Sequence, residues 1–302
     1  MKEKFTKLQE IEKEITLDKL LEKLLPLIEK DKIPDELFII NISGASAAGK
    51  STISDIISTK IPNCEVLNMD NYLRGWGIGL LNHDSGDPYK PYFARLNPAV
   101  YDLEKLHEDV IQLKNGKSIE RPVFDELEKE PSGTWIFKPS KILVLEGIYS
   151  LESPFLELGN VSILIEAPLH DRLFRKIVRN STLYRENINN IICTYLTKDE
   201  PTYPYYRKDL RTKAQLIVNN PLNPLRDFSS FPKQESISYT NSIKKLTPKT
   251  EYGKLHPEET LEIIELDNGD KLLSYIIGNK LLINDIVDHN TYELIKIYYK
   301  LN

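Results

Sequence analysis

The chain has 302 residues, of which 40% are apolar and 28% are charged, and its formal net charge is −5. These proportions argue against a disordered chain, and the mild acidic balance argues against a general nucleic-acid binder. No apolar run is long enough to cross a bilayer, and the N-terminal segment carries both charge signs without the apolar stretch of a secretory signal. We therefore expect neither nucleic acid nor a membrane among its partners.

The two cysteines, Cys64 and Cys193, lie far apart in the sequence and lack the spacing of a metal site. Two isolated thiols indicate a reducing compartment more than a disulfide framework. A cytoplasmic location is therefore expected.

Helical and strand patterns alternate along the first 220 residues. Apolar positions at helical spacing predict helices over residues 16–30, 51–60, 102–115 and 168–185. Short apolar runs predict buried strands at Leu37–Ile42, Glu65–Met69, Lys141–Leu145, Val161–Ile165 and Ala214–Val218. This alternation predicts an α/β fold, a parallel sheet with helices on both faces.

The pattern changes near residue 220, where a proline-rich stretch is typical of a linker. We expect an N-terminal helical extension over 1–36, the α/β domain over 37–227, and a small β-rich α+β appendage over 228–302. Within the appendage, the Asp-Asn-Gly sequence at 267–269 between two apolar runs predicts a hairpin. The tail from Tyr292 to Leu301 is compatible with either a helix or a strand.

A glycine-containing loop follows the first buried strand. Residues 44–51, GASAAGKS, fit the pattern G-x-x-x-x-G-K-[ST], with a strand before and a helix after. Such a loop curls its backbone around phosphates, and the helix N-terminus directs free N–H groups at them. Lys50 would reach the β- and γ-phosphates, and Ser51 would bind Mg²⁺. The predicted nucleotide-binding residues are Gly44, Ala45, Ser46, Ala47, Ala48, Gly49, Lys50, Ser51 and Thr52.

Two carboxylates close the next predicted strands. Asp70 follows the second strand and Glu146 the third, and the carboxyl ends of parallel strands face the ligand in such sheets. Asp70 could accept or orient the proton of an attacking hydroxyl, or could only cap the following turn. Glu146 could hold Mg²⁺, or could be an ordinary charge at a strand end.

With these motifs, the chain resembles the uridine kinase/phosphoribulokinase family of P-loop kinases over residues 37–221. The matching segments occur in the family's order: SGASAAGKST, NMDNY, NPAVYDLEKLHEDVIQLKNGKSIERPVFD, ILVLEGIYSL, RLFRKIVRN and TYPYYRKDLRTKAQLIVNN. The resemblance implies the P-loop NTPase fold and ATP-dependent phosphoryl transfer, with Mg²⁺, to a hydroxyl of a nucleoside- or sugar-like acceptor.

The same resemblance implies roles for individual residues. Asp70 matches the family's catalytic aspartate, and Glu146 matches its metal-binding carboxylate. Four positions match residues that line the acceptor pocket: Tyr72, Asp102, Phe124 and Asp125. A basic lid helix that closes on phosphates is matched by Arg172, Arg175, Lys176 and Arg179. Arg175 and Arg179 are expected to contact phosphate most directly, although a basic stripe on a helix is often only a solvated face.

Several features leave the acceptor open. Asp125 is followed by the acidic segment ELEKEPSG, without the histidine of nucleoside-specific members, so a nucleoside, a sugar or a sugar phosphate remains a candidate. The insert over 76–96 is expected to be a surface loop. Trp76 and Trp135 either stack on a substrate ring or, as is commoner for Trp, pack in the core.

Similar MDNY, EGIY and YPYY motifs occur in uridine-kinase-like domains fused to triphosphate-tunnel (CYTH) domains. We expect the segment from residue 228 to 302 to be too short for a CYTH domain, and its role is left open between a remnant and an element that forms a homo-oligomer. Two other functions stay in consideration. One is an NTPase or nucleotide-binding regulator without a small acceptor, and the other is a kinase-like binding module.

Overall fold

The computed structural model describes residues 14–31, 36–75, 98–200, 209–222, 243–245, 259–266, 269–277 and 280–299. The chain divides into two compact units, one formed by Met1–Glu166 with Tyr203–Asn220 and the other by Ala167–Thr202 with Pro221–Asn302. Within the described ranges, no helix has both the length and the apolar character of a membrane span.

The first unit contains eight described strands, four α-helices and a further helical stretch over 209–213. The strands are β1 (Glu14–Thr16), β2 (Phe38–Gly44), β3 (Cys64–Asn68), β4 (Ile119–Asp125), β5 (Glu130–Phe137), β6 (Ile142–Glu146), β7 (Val161–Glu166) and β8 (Leu216–Asn219). The helices are α1 (Leu17–Asp31), α2 (Lys50–Lys60), α3 (Leu103–Lys114) and α4 (Phe155–Leu158). Six of the strands form one sheet in the order β1-β8-β7-β2-β6-β3, and all their pairings are parallel. The predicted parallel sheet and its five predicted strands are confirmed.

Helices cover both faces of this sheet. Successive side chains of a strand point to opposite faces, and in β2 Ile40 and Ile42 join a core with α1 and α2. Ile39, directly before Ile40, points to the opposite face and joins a second core that includes α3. Because both faces are covered, every residue of β2 is buried, which explains its predominantly apolar, uncharged sequence.

Strand β1 is not predicted from the sequence. It is three residues long, and only its central residue, Ile15, is buried. Arg211 forms ion pairs with both Glu14 of β1 and Glu166 of β7. These partners are far apart in the sequence, so no local pattern marks the strand. Strand β1 and helix α1 pack into the core of the first unit, and the predicted boundary at residue 36 stays a prediction.

The antiparallel hairpin β4–β5 lies outside the parallel sheet. Most of β5 is exposed, including Trp135, which is 66% exposed. Core packing of Trp135 is therefore wrong, because β5 is exposed along nearly its whole length. Trp76 and the insert over 76–96 lie outside the described residues.

The second unit combines helices with a four-stranded antiparallel sheet. Its elements are α5 (Leu169–Leu183), α6 (Ile188–Thr194), β9 (Ile243–Lys245), β10 (Glu259–Glu265), β11 (Lys271–Ile277), β12 (Lys280–Val287) and α7 (His289–Tyr299). The sheet order is β12-β11-β10-β9. Strands β10 and β11 pair across the predicted Asp-Asn-Gly turn, which confirms the hairpin, and the tail is a helix rather than a strand.

Residues of α5 and α6 share one core with this antiparallel sheet. Phe174 of α5 stacks on Tyr275 of β11 at a ring-centroid distance of 4.1 Å, and Ile295 of α7 belongs to the same cluster. The β-rich character predicted for the C-terminal segment is confirmed. The predicted boundary at residue 227 stays a prediction, since residues 223–242 lie outside the described ranges.

Candidate active site

The loop between β2 and α2 has backbone geometry that requires glycine at two positions. Gly49 precedes α2 with φ of 99°, in the left-handed region, which non-glycine residues seldom adopt. A Cβ on Gly49 would also lie 2.3 Å from Nδ2 of Asn220. A Cβ on Gly44 would lie 2.5 Å from the carbonyl oxygen of Ile165 on the neighbouring strand β7. Both glycines of the sequence motif are therefore needed to form the loop.

The start of α2 offers its N–H groups to a ligand. Gly49 provides no side-chain cap, so the first backbone donors of α2 are not used by capping. The Lys50 Nζ donates to the carbonyl oxygen of Ala45 at 3.2 Å, so its side chain folds back across the loop. Ser51 Oγ donates to Oε1 of Glu146 at 3.2 Å. The structure thus brings Lys50, Ser51 and Glu146 together.

Glu146 lies at the centre of three strand ends. It is paired in register with Ile42 of β2 on one side and with Asn68 of β3 on the other. Its side chain is only 3% exposed, and burial raises the pKa of its carboxyl to about 7. The positive charge of Lys50 lowers this pKa, whereas the negative charge of Asp70 raises it. A cation at this place would offset the cost of burying the carboxylate.

Asp70 lies in a short 3₁₀ turn, Met69–Tyr72, directly after β3. The turn is capped by Asn68, whose Oδ1 accepts from the backbone N–H of Asp70 at 2.7 Å. Since Asn68 is the cap, capping is not the role of the Asp70 side chain. Its Oδ1 instead accepts a hydrogen bond from the hydroxyl of Tyr101 at 3.1 Å. Asp70 is close enough to Glu146 for the two charges to interact.

The predicted acceptor residues have different surroundings. Tyr72 is 1% exposed, and its hydroxyl donates to Oδ2 of buried Asp109 at 2.9 Å. Burial, with Asp109 beside it, raises the pKa of the Tyr72 phenol well above its ordinary range. The side chain of Tyr72 therefore faces the core here. Asp102 caps α3 by accepting from the N–H of Lys105, and it forms a 3.0 Å ion pair with Arg74.

Phe124 and Asp125 lie at the end of β4. Phe124 is buried, and its N–H donates to Oδ1 of Asn71 in the Asp70 turn at 3.5 Å. The Asp125 carboxylate accepts from the N–H groups of Leu127 and Glu128 at 2.8 and 3.0 Å, and these bonds lower its pKa. The hairpin is thus connected to the Asp70 turn through Phe124. A contact of Asp125 with an acceptor stays a prediction.

The basic positions of α5 do not form one solvated face. Arg172 is buried and makes a two-pronged ion pair with Glu200, at 2.8 and 3.0 Å, and buried Lys176 pairs with Asp199. Arg175 donates to the carbonyl oxygen of Pro221 at 3.0 Å.

Arg179, on the same helix, donates to the side chain of Asn180 at 3.0 Å. Its guanidinium also lies over the ring of Tyr184, 5.9 Å from the centroid. Phosphate contacts by Arg175 and Arg179 stay predictions.

A comparison with known families decides what kind of protein carries this arrangement. The sequence profile described as "Phosphoribulokinase / Uridine kinase family" matches residues 39–223. The chain belongs to this family. The matched range contains the loop, Asp70 and Glu146, so these residues lie in a P-loop kinase core.

Curated relatives agree with this assignment. The Arabidopsis thaliana protein named inorganic pyrophosphatase TTM1 is 28% identical over 248 residues, which cover 78% of this chain and 35% of that protein. A uridine kinase from Staphylococcus aureus (strain JH9) is 27% identical over 190 residues, 60% of this chain and 86% of that enzyme. The chain therefore spans only about a third of the length of the plant relative.

Solved structures share the fold. A candidate fructose transport system kinase from Silicibacter sp. TM1040 has a TM-score of 0.52 and 22% identity, over 68% of this chain and 98% of that chain. A possible uridine kinase from Bacillus stearothermophilus has a TM-score of 0.50 and 16% identity, over 67% of this chain and 96% of that chain. The predicted P-loop kinase fold is confirmed.

Asn220 supports the kinase loop, and the sequence motifs did not identify it. Asn220 follows β8, and its Nδ2 donates to the carbonyl oxygen of Ala48 at 2.8 Å. The rule that ligand-facing residues follow parallel strands, which identified Asp70 and Glu146, could have identified Asn220 as well. Asn220 fixes the far side of the loop, beside Gly49.

Replacing Asn220 should destabilise the kinase core. Asn220→Ala leaves the buried Ala48 carbonyl unpaired, and we expect a loss of about 1–3 kcal/mol in the free energy of unfolding, measured by urea denaturation. Asn220→Asp conserves volume but places a second acceptor against that carbonyl, so we expect at least an equal loss. Wild-type stability in both variants would contradict this role.

Proposed function

We propose that the chain is an ATP-dependent kinase that transfers the γ-phosphate to a hydroxyl of a nucleoside- or sugar-like acceptor, with Mg²⁺ as cofactor. The observation that carries the proposal is the meeting of four groups at one edge of the sheet. Lys50 and Ser51 come from the loop after β2, Asp70 follows β3, and Glu146 ends β6. Phosphoryl transfer needs a cation-binding pair and a proton acceptor in this proximity.

The residues present fit ATP and Mg²⁺. Ser51 and Glu146 are oxygen donors 3.2 Å apart, and Mg²⁺ is commonly bound by one or two protein oxygens together with phosphate oxygens. The buried Glu146 carboxylate carries a charge that a cation would balance. The uncapped start of α2 leaves backbone N–H groups that could bind phosphate oxygens.

Each residue has a distinct task in the proposed reaction. Bound Mg-ATP supplies the transferable phosphoryl group. Lys50 and the loop amides neutralise and orient the β- and γ-phosphates. Asp70 accepts the proton of the acceptor hydroxyl and holds that oxygen in line for attack. Most of the rate enhancement would come from this positioning and from electrostatic stabilisation of the developing charge.

The acceptor is proposed only as a class. The turn after β4 is acidic and its Asp125 is engaged with backbone N–H groups, while Asp102 is paired with Arg74. Hydroxyl-rich acceptors such as nucleosides, sugars and sugar phosphates remain candidates. The relatives named uridine kinase favour testing uridine first.

A second candidate function is ATP or pyrophosphate hydrolysis without a small acceptor. It is favoured by one observation, the two plant relatives named inorganic pyrophosphatases, of which the chain spans 35% and 28%. In that case Asp70 would orient water in place of an alcohol.

A panel of nucleosides, sugars and sugar phosphates with Mg-ATP would separate these functions. We expect ADP release that rises above the acceptor-free background with at least one acceptor, and phosphorylated product detected by mass spectrometry. Acceptor-independent release would favour hydrolysis and contradict the kinase proposal.

The same panel should be run with Lys50→Ala as a control for contaminating ATPases. Loss of a charge-assisted contact of about 1.5 kcal/mol should weaken ATP binding by about 10-fold. Calorimetric titration with ATP measures this change directly. An unchanged ATP affinity would count against the role of the loop.

A further inference from the structure

We propose that Tyr101 is a positioning residue that fixes the Asp70 carboxylate for proton transfer. This inference rests on the proposed function, since it assigns Asp70 as the proton acceptor. The observation behind it is the 3.1 Å hydrogen bond from the Tyr101 hydroxyl to Oδ1 of Asp70.

The Tyr101 ring is held rigidly. It is 5% exposed, and it packs edge-on against Tyr149, with ring centroids 5.4 Å apart and an interplanar angle of 79°. Tyr149 lies three residues after Glu146, in the turn that follows β6. The ring that orients Asp70 is therefore supported by the segment that carries the predicted metal ligand.

The backbone around Tyr101 is joined directly to the Asp70 turn. Leu73 and Tyr101 form an isolated antiparallel bridge. On either side of that bridge, the Asp102 N–H donates to the Tyr72 carbonyl and the Arg74 N–H donates to the Val100 carbonyl, both at 2.8 Å. These bonds fix the distance between the Tyr101 hydroxyl and the Asp70 carboxylate, because neither backbone can shift without breaking them.

The hydrogen bond makes the two oxygens of Asp70 unequal. Oδ1 accepts from Tyr101, whereas Oδ2 accepts no hydrogen bond within the described part of the chain. A carboxylate held at one oxygen cannot rotate freely, so its second oxygen keeps one direction. The phenol donates a charge-assisted hydrogen bond to the Asp70 carboxylate. Asp70 is also close enough to the second carboxylate, Glu146, for their charges to interact. Tyr101 thus presents Oδ2 to the acceptor hydroxyl.

Tyr101→Phe tests the inference, because it removes the hydroxyl and keeps the ring. We expect kcat for the best acceptor to fall by about 10-fold, as a single charge-assisted hydrogen bond allows, with the KM for ATP unchanged. In the Asp70→Asn background the same substitution should have little further effect, since Tyr101 acts through Asp70. Tyr275→Phe is the matched control, because it removes a buried tyrosine hydroxyl from β11 and should leave kcat unchanged.

Wild-type kcat in Tyr101→Phe would overturn the inference. So would a full 10-fold loss on top of Asp70→Asn, or a loss that appears equally in Tyr275→Phe. Failure of the proposed function is seen separately in the wild-type enzyme, as ADP release that needs no acceptor. Even then, the ratio of hydrolysis rates for Tyr101→Phe and wild type tests whether Tyr101 orients Asp70, because the carboxylate would position water in the same way.

Discussion

Asp70→Asn is expected to lower kcat by about 10²- to 10⁴-fold, the range typical of a lost general base, while ATP binds as in the wild type. The substitution keeps the size of the side chain and an oxygen that can accept from Tyr101. It also leaves the turn intact, because Asn68 caps it through the backbone N–H of residue 70. What is lost is the group that accepts the proton of the acceptor hydroxyl.

The measurement is acceptor-dependent ADP release, with ATP affinity determined separately by calorimetry. Asp18→Asn is a suitable control, since Asp18 is an exposed carboxylate in the first turn of α1 and its replacement should change neither quantity. A kcat near that of the wild type in Asp70→Asn would refute the proposed mechanism. A parallel loss of ATP affinity would show that Asp70 supports the loop rather than the chemistry.

The sequence predicts those parts of the fold that have a local pattern. The five longer strands of the parallel sheet are short apolar runs because helices cover both faces of the sheet. Strand β1 has no such run, since Ile15 is its only buried residue. Glu14 of β1 forms an ion pair with Arg211, which lies 197 residues further along the chain. Strand β5 of the hairpin is mostly exposed, so its sequence lacks the apolar alternation that predicts a half-buried strand.

The candidate site likewise has features that the sequence predicts and contacts that it does not predict. The loop residues are contiguous in sequence, and Asp70 and Glu146 follow strands, so strand-end placement predicts that they meet. The contacts of Tyr72 with Asp109 and of Tyr101 with Asp70 join residues 37 and 31 positions apart in the sequence. Helical and strand periodicities do not predict contacts over such separations. The resemblance implies that Tyr72 lines the acceptor pocket, and this role stays a prediction. The direction of the Tyr72 side chain depends on the 3₁₀ turn, in which Tyr72 is buried.

The basic helix shows a further limit of sequence patterns. A stripe of positive charge on one helical face does not reveal that Arg172 and Lys176 are already paired. Their partners, Glu200 and Asp199, belong to the segment around the π-helical turn Tyr195–Asp199, an uncommon geometry without a simple sequence signature. Arg175 and Arg179 are less buried than Arg172 and Lys176, and their phosphate contacts stay predictions.

Glu146→Gln should separate the loss of folding stability that a buried charge causes from the contribution of that charge to metal binding. Burial raises the pKa of Glu146 to about 7, above the value near 4.3 expected in the unfolded chain. Between these two pH values the unfolded chain loses the proton and the folded protein keeps it, so wild-type stability falls as the pH rises. Above pH 7 both states are ionised, and the penalty is constant. Without Mg²⁺, the glutamine variant should therefore gain stability relative to wild type between pH 5 and pH 8.

Catalysis should change in the opposite direction. An amide is neutral and a weaker Mg²⁺ ligand than a carboxylate, so we expect Mg²⁺-dependent turnover to fall by about 10²-fold. Urea denaturation at pH 5 and pH 8 without metal, and kcat across a Mg²⁺ titration, measure the two effects on the same samples. Glu65→Gln, at an exposed carboxylate on β3, controls for the change in net charge. Full activity in Glu146→Gln would remove Glu146 from the proposed metal site, whereas lost activity without the pH-dependent gain in stability would place the carboxylate in a better solvated environment than the structure gives it.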